Sequence, residues 1–346
     1  MTTGLRKPRR AHGMSLVELM VGLSIGLFGV AVMGVMYVGS KTTYVAQESG
    51  SRLQENGRFA MDTIANDLRM SGFKGCLGSG AVDNTLNTST ALLYNFGEPI
   101  WGSRSVGGAW SPLLGAPADT LAALPAGDVL VVRRPTGLGW ALIGEMASPS
   151  APLPITPTAN FAQGDLLVVA DCGTASVFQA TNAAPGAGGS LAHVSGTAGV
   201  VPGVATNAMS RAYANEARVW RMQTLIYYLA NSERHPGESA LWVYANPVYD
   251  GRAQRTELVT GVERMAVTYG VDTNGDFNAD RFFDASGVTN WAQVVNARVE
   301  LLLNGGTASN ATASQPYVFG GLTVTPTDKK LRTVMSMVVA LRNVLP

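Results

Sequence analysis

The chain has 346 residues, 46% hydrophobic and only 14% charged, with 40 glycines and 17 prolines. That much apolar material excludes a disordered charged tail and supports a folded core. A net charge of +1 implies no basic surface for nucleic acid, and two cysteines with three histidines exclude a cysteine cage for zinc and leave little for acid–base chemistry.

Residues 1–13 hold Arg6, Lys7, Arg9 and Arg10 and no acid. An uncharged run, LMVGLSIGLFGVAVMGVMYVG, follows from Leu19 to Gly39. At a helical rise of about 1.5 Å per residue it measures roughly 31 Å, enough for a hydrocarbon core of about 30 Å. Bases before the run and none within it predict a cytoplasmic leader, with everything after residue 40 outside. The apolar part of a cleaved secretory signal is only about 7–15 residues, so a retained membrane helix is expected. Glu18 stands at the mouth of the run, where a carboxylate is costly and points to function; an acid that merely reaches the headgroups is the plainer alternative. Cleavage after Gly13 would leave a charged amine on Met14, which a carboxylate on a neighbouring helix can neutralise in a low dielectric.

The stretch Gly13-Met14-Ser15-Leu16-Val17-Glu18-Leu19-Met20 resembles the class III leader junction of type IV prepilins and type II secretion pseudopilins. The resemblance implies that prepilin peptidase cuts after Gly13 and N-methylates Met14, and that Glu18 docks the subunit into a growing filament. Phenylalanine is usual at the new first position, so Met14 is a departure that keeps the apolar character.

From Ser40 the sequence turns polar without a proline. Leu53, Ala60, Ile64 and Leu68 share one helical face, with Gly57 at the missing step, while Arg52, Glu55, Arg58, Asp62, Asn66 and Arg69 take much of the rest. One helix from Ser15 to Met70 is predicted, about 84 Å long, stopped by Gly72 and Gly75. Gly50 and Gly57 each cost about 1 kcal/mol against alanine and are expected points of bending. The segment SRLQENGRFAMDTIANDLRMSGFKGC resembles the stretch after the membrane helix in PilW-type minor pilins, specifically over residues 13–76 and diffusely beyond.

After residue 76 the period shifts to two. Arg264–Val271 and Val295–Leu303 alternate as half-buried antiparallel strands, and Thr224–Leu229, Leu241–Ala245 and Leu331–Leu341 are further strands. GDVLVV at 127–132 recurs as GDLLVV at 164–169, two similar strand starts. The Gly/Pro/Ala-rich connections 111–126, 146–160 and 181–206 are long for a compact domain and are expected as surface loops or mobile contacts. In an oxidising compartment Cys76 and Cys172 are expected to pair, the alternative being two buried thiols. A bridge closing about a hundred residues stabilises by about 4.7 kcal/mol on the chain-entropy model.

Asp272, Asn274, Asp276, Asn278 and Asp280 alternate in VDTNGDFNADRFFD, with Asp284 beyond, like the first part of a calcium loop. Phe277 stands where such a loop needs glycine and Phe283 where it needs glutamate, so an Asn-Gly turn between two strands is the competing reading. Gly22-Leu-Ser-Ile-Gly26 matches a nucleophile elbow but lies inside the membrane helix, where it has no strand–turn–helix context. His193 and His235 are expected as solvated loop histidines, and no phosphate loop or dinucleotide fingerprint is present. No enzyme and no cofactor other than calcium is expected.

The fold expected is α+β and pilin-like: a leader at 1–13, a transmembrane helical part at 14–39, an amphipathic part at 40–72, and a periplasmic, mostly antiparallel β head at 73–346. The resemblance implies a minor pilin in the priming or tip complex of a type IV pilus, supporting twitching and adhesion. Its partners would be other minor pilins, the major pilin, a tip adhesin, prepilin peptidase and the inner-membrane assembly platform. It would sit in the inner membrane before assembly and in the pilus, at its tip, afterwards. A type II secretion pseudopilin and a membrane-anchored calcium or ligand-binding protein are the rival readings.

Overall fold

A computed structural model describes residues 13–78, 80–249, 254–306 and 313–344. The basic leader bases therefore lie outside the described residues. Helix α1 runs from Leu16 to Met70, 55 residues, within one residue of its expected start. Ser15 caps it, its side chain accepting the Glu18 amide at 3.2 Å.

The head follows as β1 (Val82–Asn84), β2 (Ile100–Val106), β3 (Ala109–Ser111), β4 (Val129–Ala141) and β5 (Leu153–Pro154). Next come β6 (Leu166–Ala170), β7 (Ala175–Gln179), β8 (Ser190–Leu191), β9 (Arg218–Asn231), β10 (Ser239–Asn246) and β11 (Arg255–Thr260). The chain closes with β12 (Val262–Val271), β13 (Arg281–Asp284), β14 (Val294–Asn304), β15 (Tyr317–Phe319), β16 (Leu322–Val324) and β17 (Arg332–Ala340). One sheet has the order β1-β7-β6-β9-β4-β2-β3, with β10 and β11 joined to it through β9; a second has the order β13-β12-β14-β17. Pairing is antiparallel except between β1 and β7.

The two GD strands flank one partner: β4 pairs with one edge of β9 and β6 with the other. Their aspartates are used differently. Asp165 accepts the Ala162 amide and pairs with Arg221 at 2.9 Å. Asp128 joins the two sheets: its amide donates to the Met265 carbonyl at 2.9 Å and its carboxylate accepts the Val267 amide at 2.8 Å. A side-chain oxygen thus occupies a ladder position along the edge of β12.

The upper half of α1 lies in the angle between the sheets. Leu53, Ala60, Ile64 and Leu68 share one core with Leu130, Leu225 and Tyr227 of the first sheet and Met265, Val299 and Leu301 of the second. Gly57 completes that stripe beneath Met335, whose side chain a Cβ there would displace. The helix continues through both Gly50 and Gly57.

Two expected loops are largely structured. Met146, Leu153 and Ile155 of one and Leu191 of the other are buried with Phe161, Phe178 and Tyr213 in a separate core. Their connections are held by the short β5–β8 pair. His193, expected in solvent, is 2% exposed, with Nε2 3.0 Å from the Ala151 carbonyl. It ties the two connections together, and burial pushes its pKa down. His235 is exposed, as expected.

Candidate assembly site

Among the described residues nothing packs on the lower half of α1. Every residue from Met14 to Phe28 is exposed, and the most apolar stretch has a mean hydropathy of 2.3 with none of it buried. This helix is long and apolar enough to cross a membrane. Glu18, Gly22 and Gly26 stand four apart on one stripe, and a shallow groove there is bordered by Met14, Glu18, Leu23 and Val30. A Cβ at Gly22 or Gly26 would meet nothing, so the stripe is open to the close approach of another helix.

Ser15 and Glu18 also form the S-x-x-E pattern of a capping box, a local role the sequence reading overlooked. Here the serine half is made. A carboxylate in the first turn is favoured by the helix dipole as well. Glu18 is therefore helix-compatible at its position and exposed on the same groove as Met14.

The upper end of α1 is anchored on several sides. Asp67, 6% exposed, sits 2.7 Å from Arg134 Nε and accepts the Tyr227 hydroxyl. Gly72, at φ 67°, donates its amide to the Arg133 carbonyl at 3.1 Å. Asn343 donates to the carbonyls of Arg69 and Ser71 at 2.8 and 3.1 Å, so the far end of the chain satisfies the last turn of the helix. The Arg133 guanidinium is 1% exposed and donates to the carbonyls of Leu92 and Glu98, both at 2.7 Å. Burial pushes its pKa down to about 10.

Cys76 and Cys172 are joined, with Cα atoms 4.8 Å apart, fixing the segment after the helix to the β6–β7 turn. Thiol titration of the denatured protein is expected to find no free thiol before reduction and two after it. Two thiols before reduction would contradict the bond.

The residues expected to hold calcium form the turn from β12 to β13, and their oxygens serve the turn itself. The Asp272 carboxylate accepts the amides of Asn274, Gly275 and Phe277 at 3.1, 2.7 and 2.8 Å. Burial works to raise its pKa, yet the amides of Gly275, Phe277 and Asn274 hold it below the usual aspartate range. Asn274 accepts from Asp276, Asp276 accepts from Asn278, and Asp280 accepts from Thr273 and Asn274. Asp284 stands apart on β13, paired with Arg104 at 2.5 Å. Phe277 takes the left-handed φ of 64° where glycine had seemed necessary. Among the described residues no group of three or more His, Cys, Asp or Glu gathers as a metal site. The turn reading fits this geometry directly. Asp272→Ala is accordingly expected to make the turn several-fold more susceptible to limited proteolysis, equally with and without calcium; protection by calcium in the wild type alone would point to a metal site instead.

Comparison with known families matches residues 8–34 to the prokaryotic N-terminal methylation motif and residues 226–343 to the Type IV Pilus-assembly protein W family. The second match covers β9 from Ile226, the whole four-stranded sheet and Asn343, where the sequence resemblance had been diffuse. A type IV-like pilin from Thermus thermophilus aligns at 12% identity over 85% of this chain and 99% of that one, with a TM-score of 0.32. No curated protein matches. A methylation motif on the exposed apolar helix and a Type IV Pilus-assembly protein W region on the sheets that hold the helix end together support a PilW-type minor pilin of type IV pilus assembly.

Proposed function

We propose that the protein acts within a priming or tip complex of the pilus, alongside other minor pilins, the major pilin and a tip adhesin, and so supports twitching and adhesion. The observation that carries this reading is the exposed lower half of α1, with Met14 and Glu18 on one groove, continuous with the upper half that packs into a large head. Prepilin peptidase cuts after Gly13 and methylates Met14; the assembly platform then lifts the subunit from the inner membrane. Glu18 neutralises the Met14 amine of a neighbour or docks on another subunit, a pairing worth far more in hydrocarbon than in water. The head waits in the periplasm, a compartment in which the Cys76–Cys172 bond persists. Its size favours a few copies at one filament end over a long polymer.

Complementation of a deletion strain with Glu18→Ala tests the proposal. Processing is expected to persist while surface pili and twitching are lost and protein export is unaffected. Loss of export with pili intact would instead support the pseudopilin reading. Pili, twitching and export all intact would end the role given to Glu18.

A further inference from the structure

The β15–β16 hairpin rests on the outer face of the four-stranded sheet. Arg264 stacks 5.7 Å from the Phe319 ring, Arg332 stacks 6.0 Å from Tyr317, and the Gly320 amide donates to Glu300 at 2.9 Å. Between this hairpin and the place where Asp128 meets the edge of β12 lies a cleft of about 300 Å³. That is the lower end of the usual size for small-molecule sites.

Three polar groups that line the cleft lack a full set of polar partners among the described residues. Asp128 is 8% exposed and accepts the Val267 amide, yet no cation stands within ion-pair distance among the described residues. The cleft's other arginine, Arg104, is engaged with Asp284 at 2.5 Å. Arg264 touches Phe319 but has no carboxylate at ion-pair distance among the described residues. Thr268 Oγ1 is buried and has no hydrogen-bond partner among the described residues. A buried charge without a counter-ion is costly, and so is a buried hydroxyl without a partner.

The two charges are of opposite sign and both line the cleft, Asp128 at the sheet junction and Arg264 beside Phe319 of the hairpin. A simple anion would satisfy Arg264 and face Asp128; a simple cation would do the reverse. We propose that the cleft binds an amino-acid-sized zwitterion, its ammonium on Asp128, its carboxylate on Arg264 and Thr268 Oγ1 completing the polar contacts. Phe319 and Leu322 of the hairpin supply an apolar wall for an aliphatic side chain. This inference does not depend on the assembly role of the helix.

Isothermal titration of the full chain in detergent with L-leucine tests it, alongside N-acetyl-leucine, which lacks the ammonium, and leucine methyl ester, which lacks the carboxylate. L-leucine is expected to bind saturably at one site, with each blocked derivative at least tenfold weaker. Arg264→Ala, an exposed position, and Asp128→Asn, which keeps an acceptor for Val267, are each expected to weaken L-leucine at least tenfold while thermal melting shows both variants folded. Absence of saturable binding to the wild type overturns the proposal. So does equal binding of either blocked derivative, which would mark a purely cationic or purely anionic site, or unchanged binding by Arg264→Ala.

Discussion

Asp67→Ala is expected to destabilise the head by about 3–5 kcal/mol, the usual cost of removing one partner from a buried ion pair. Asp67 lies on the inner face of α1, and its two carboxylate oxygens face Arg134 and the Tyr227 hydroxyl. The Arg134 side chain is 12% exposed, so water cannot replace the lost charge fully. Alanine would strand the guanidinium beneath the helix and remove an acceptor from Tyr227. For a domain of this size, thermal melting of the full chain in detergent should fall by roughly 10 °C. Asp67→Asn keeps an acceptor for Tyr227 and should lose less. The double change Asp67→Leu with Arg134→Met should recover much of the loss, because two apolar groups leave no unpaired charge. A shift below about 1 kcal/mol for Asp67→Ala would mean that this pair does not lock the helix to the head.

Asp128→Asn is expected to flatten the stability of the head between about pH 4 and pH 7. Burial raises the Asp128 pKa to about 6 in the folded protein, against about 3.9 in an unfolded chain. The folded state therefore holds this proton where the unfolded state has lost it. The contribution is fully present below about pH 4, falls as pH rises through about 6, and is gone above that. Two pKa units correspond to roughly 3 kcal/mol at most. Asparagine removes the ionisation and still accepts the Val267 amide, so the variant should equal the wild type near pH 4 and exceed it at pH 7. Asp272, Asp280 and Asp284, held below their ordinary range, act in the opposite direction. The difference between wild type and variant is therefore the quantity to read. Parallel profiles across that window would mean that Asp128 is already solvated.

The helix and the principal strands were legible in the sequence because their signals are local. A stripe at Leu53, Ala60, Ile64 and Leu68 and alternation at Met265, Val267 and Tyr269 each repeat over several turns or pleats, and both buried the faces they predicted. The membrane-type run and the Gly13–Glu18 junction were legible for the same reason. Asp67 was missed because a stripe defined by apolar residues leaves out an acid that turns inward to meet Arg134 on a distant strand. Nothing local distinguishes Asp128 from Asp165, since both follow glycine before the same apolar run; only the arrival of β12 gives the first its role at the sheet junction. The packed connections at 146–160 and 181–206 carry Met146, Leu153, Ile155 and Leu191 at no regular period, so their common core was unreadable. The acidic alternation at Asp272–Asp280 was readable as a pattern of oxygens, but their partners are backbone amides, which a side-chain pattern does not reveal.

In the proposed function, Gly13 and Glu18 make an apolar anchor into a filament subunit. Mass spectrometry of the native amino terminus tests it most directly. A mature chain that begins at N-methylated Met14, with residues 1–13 removed, is the expected result. An intact leader, or a cut beyond the apolar run, would contradict it.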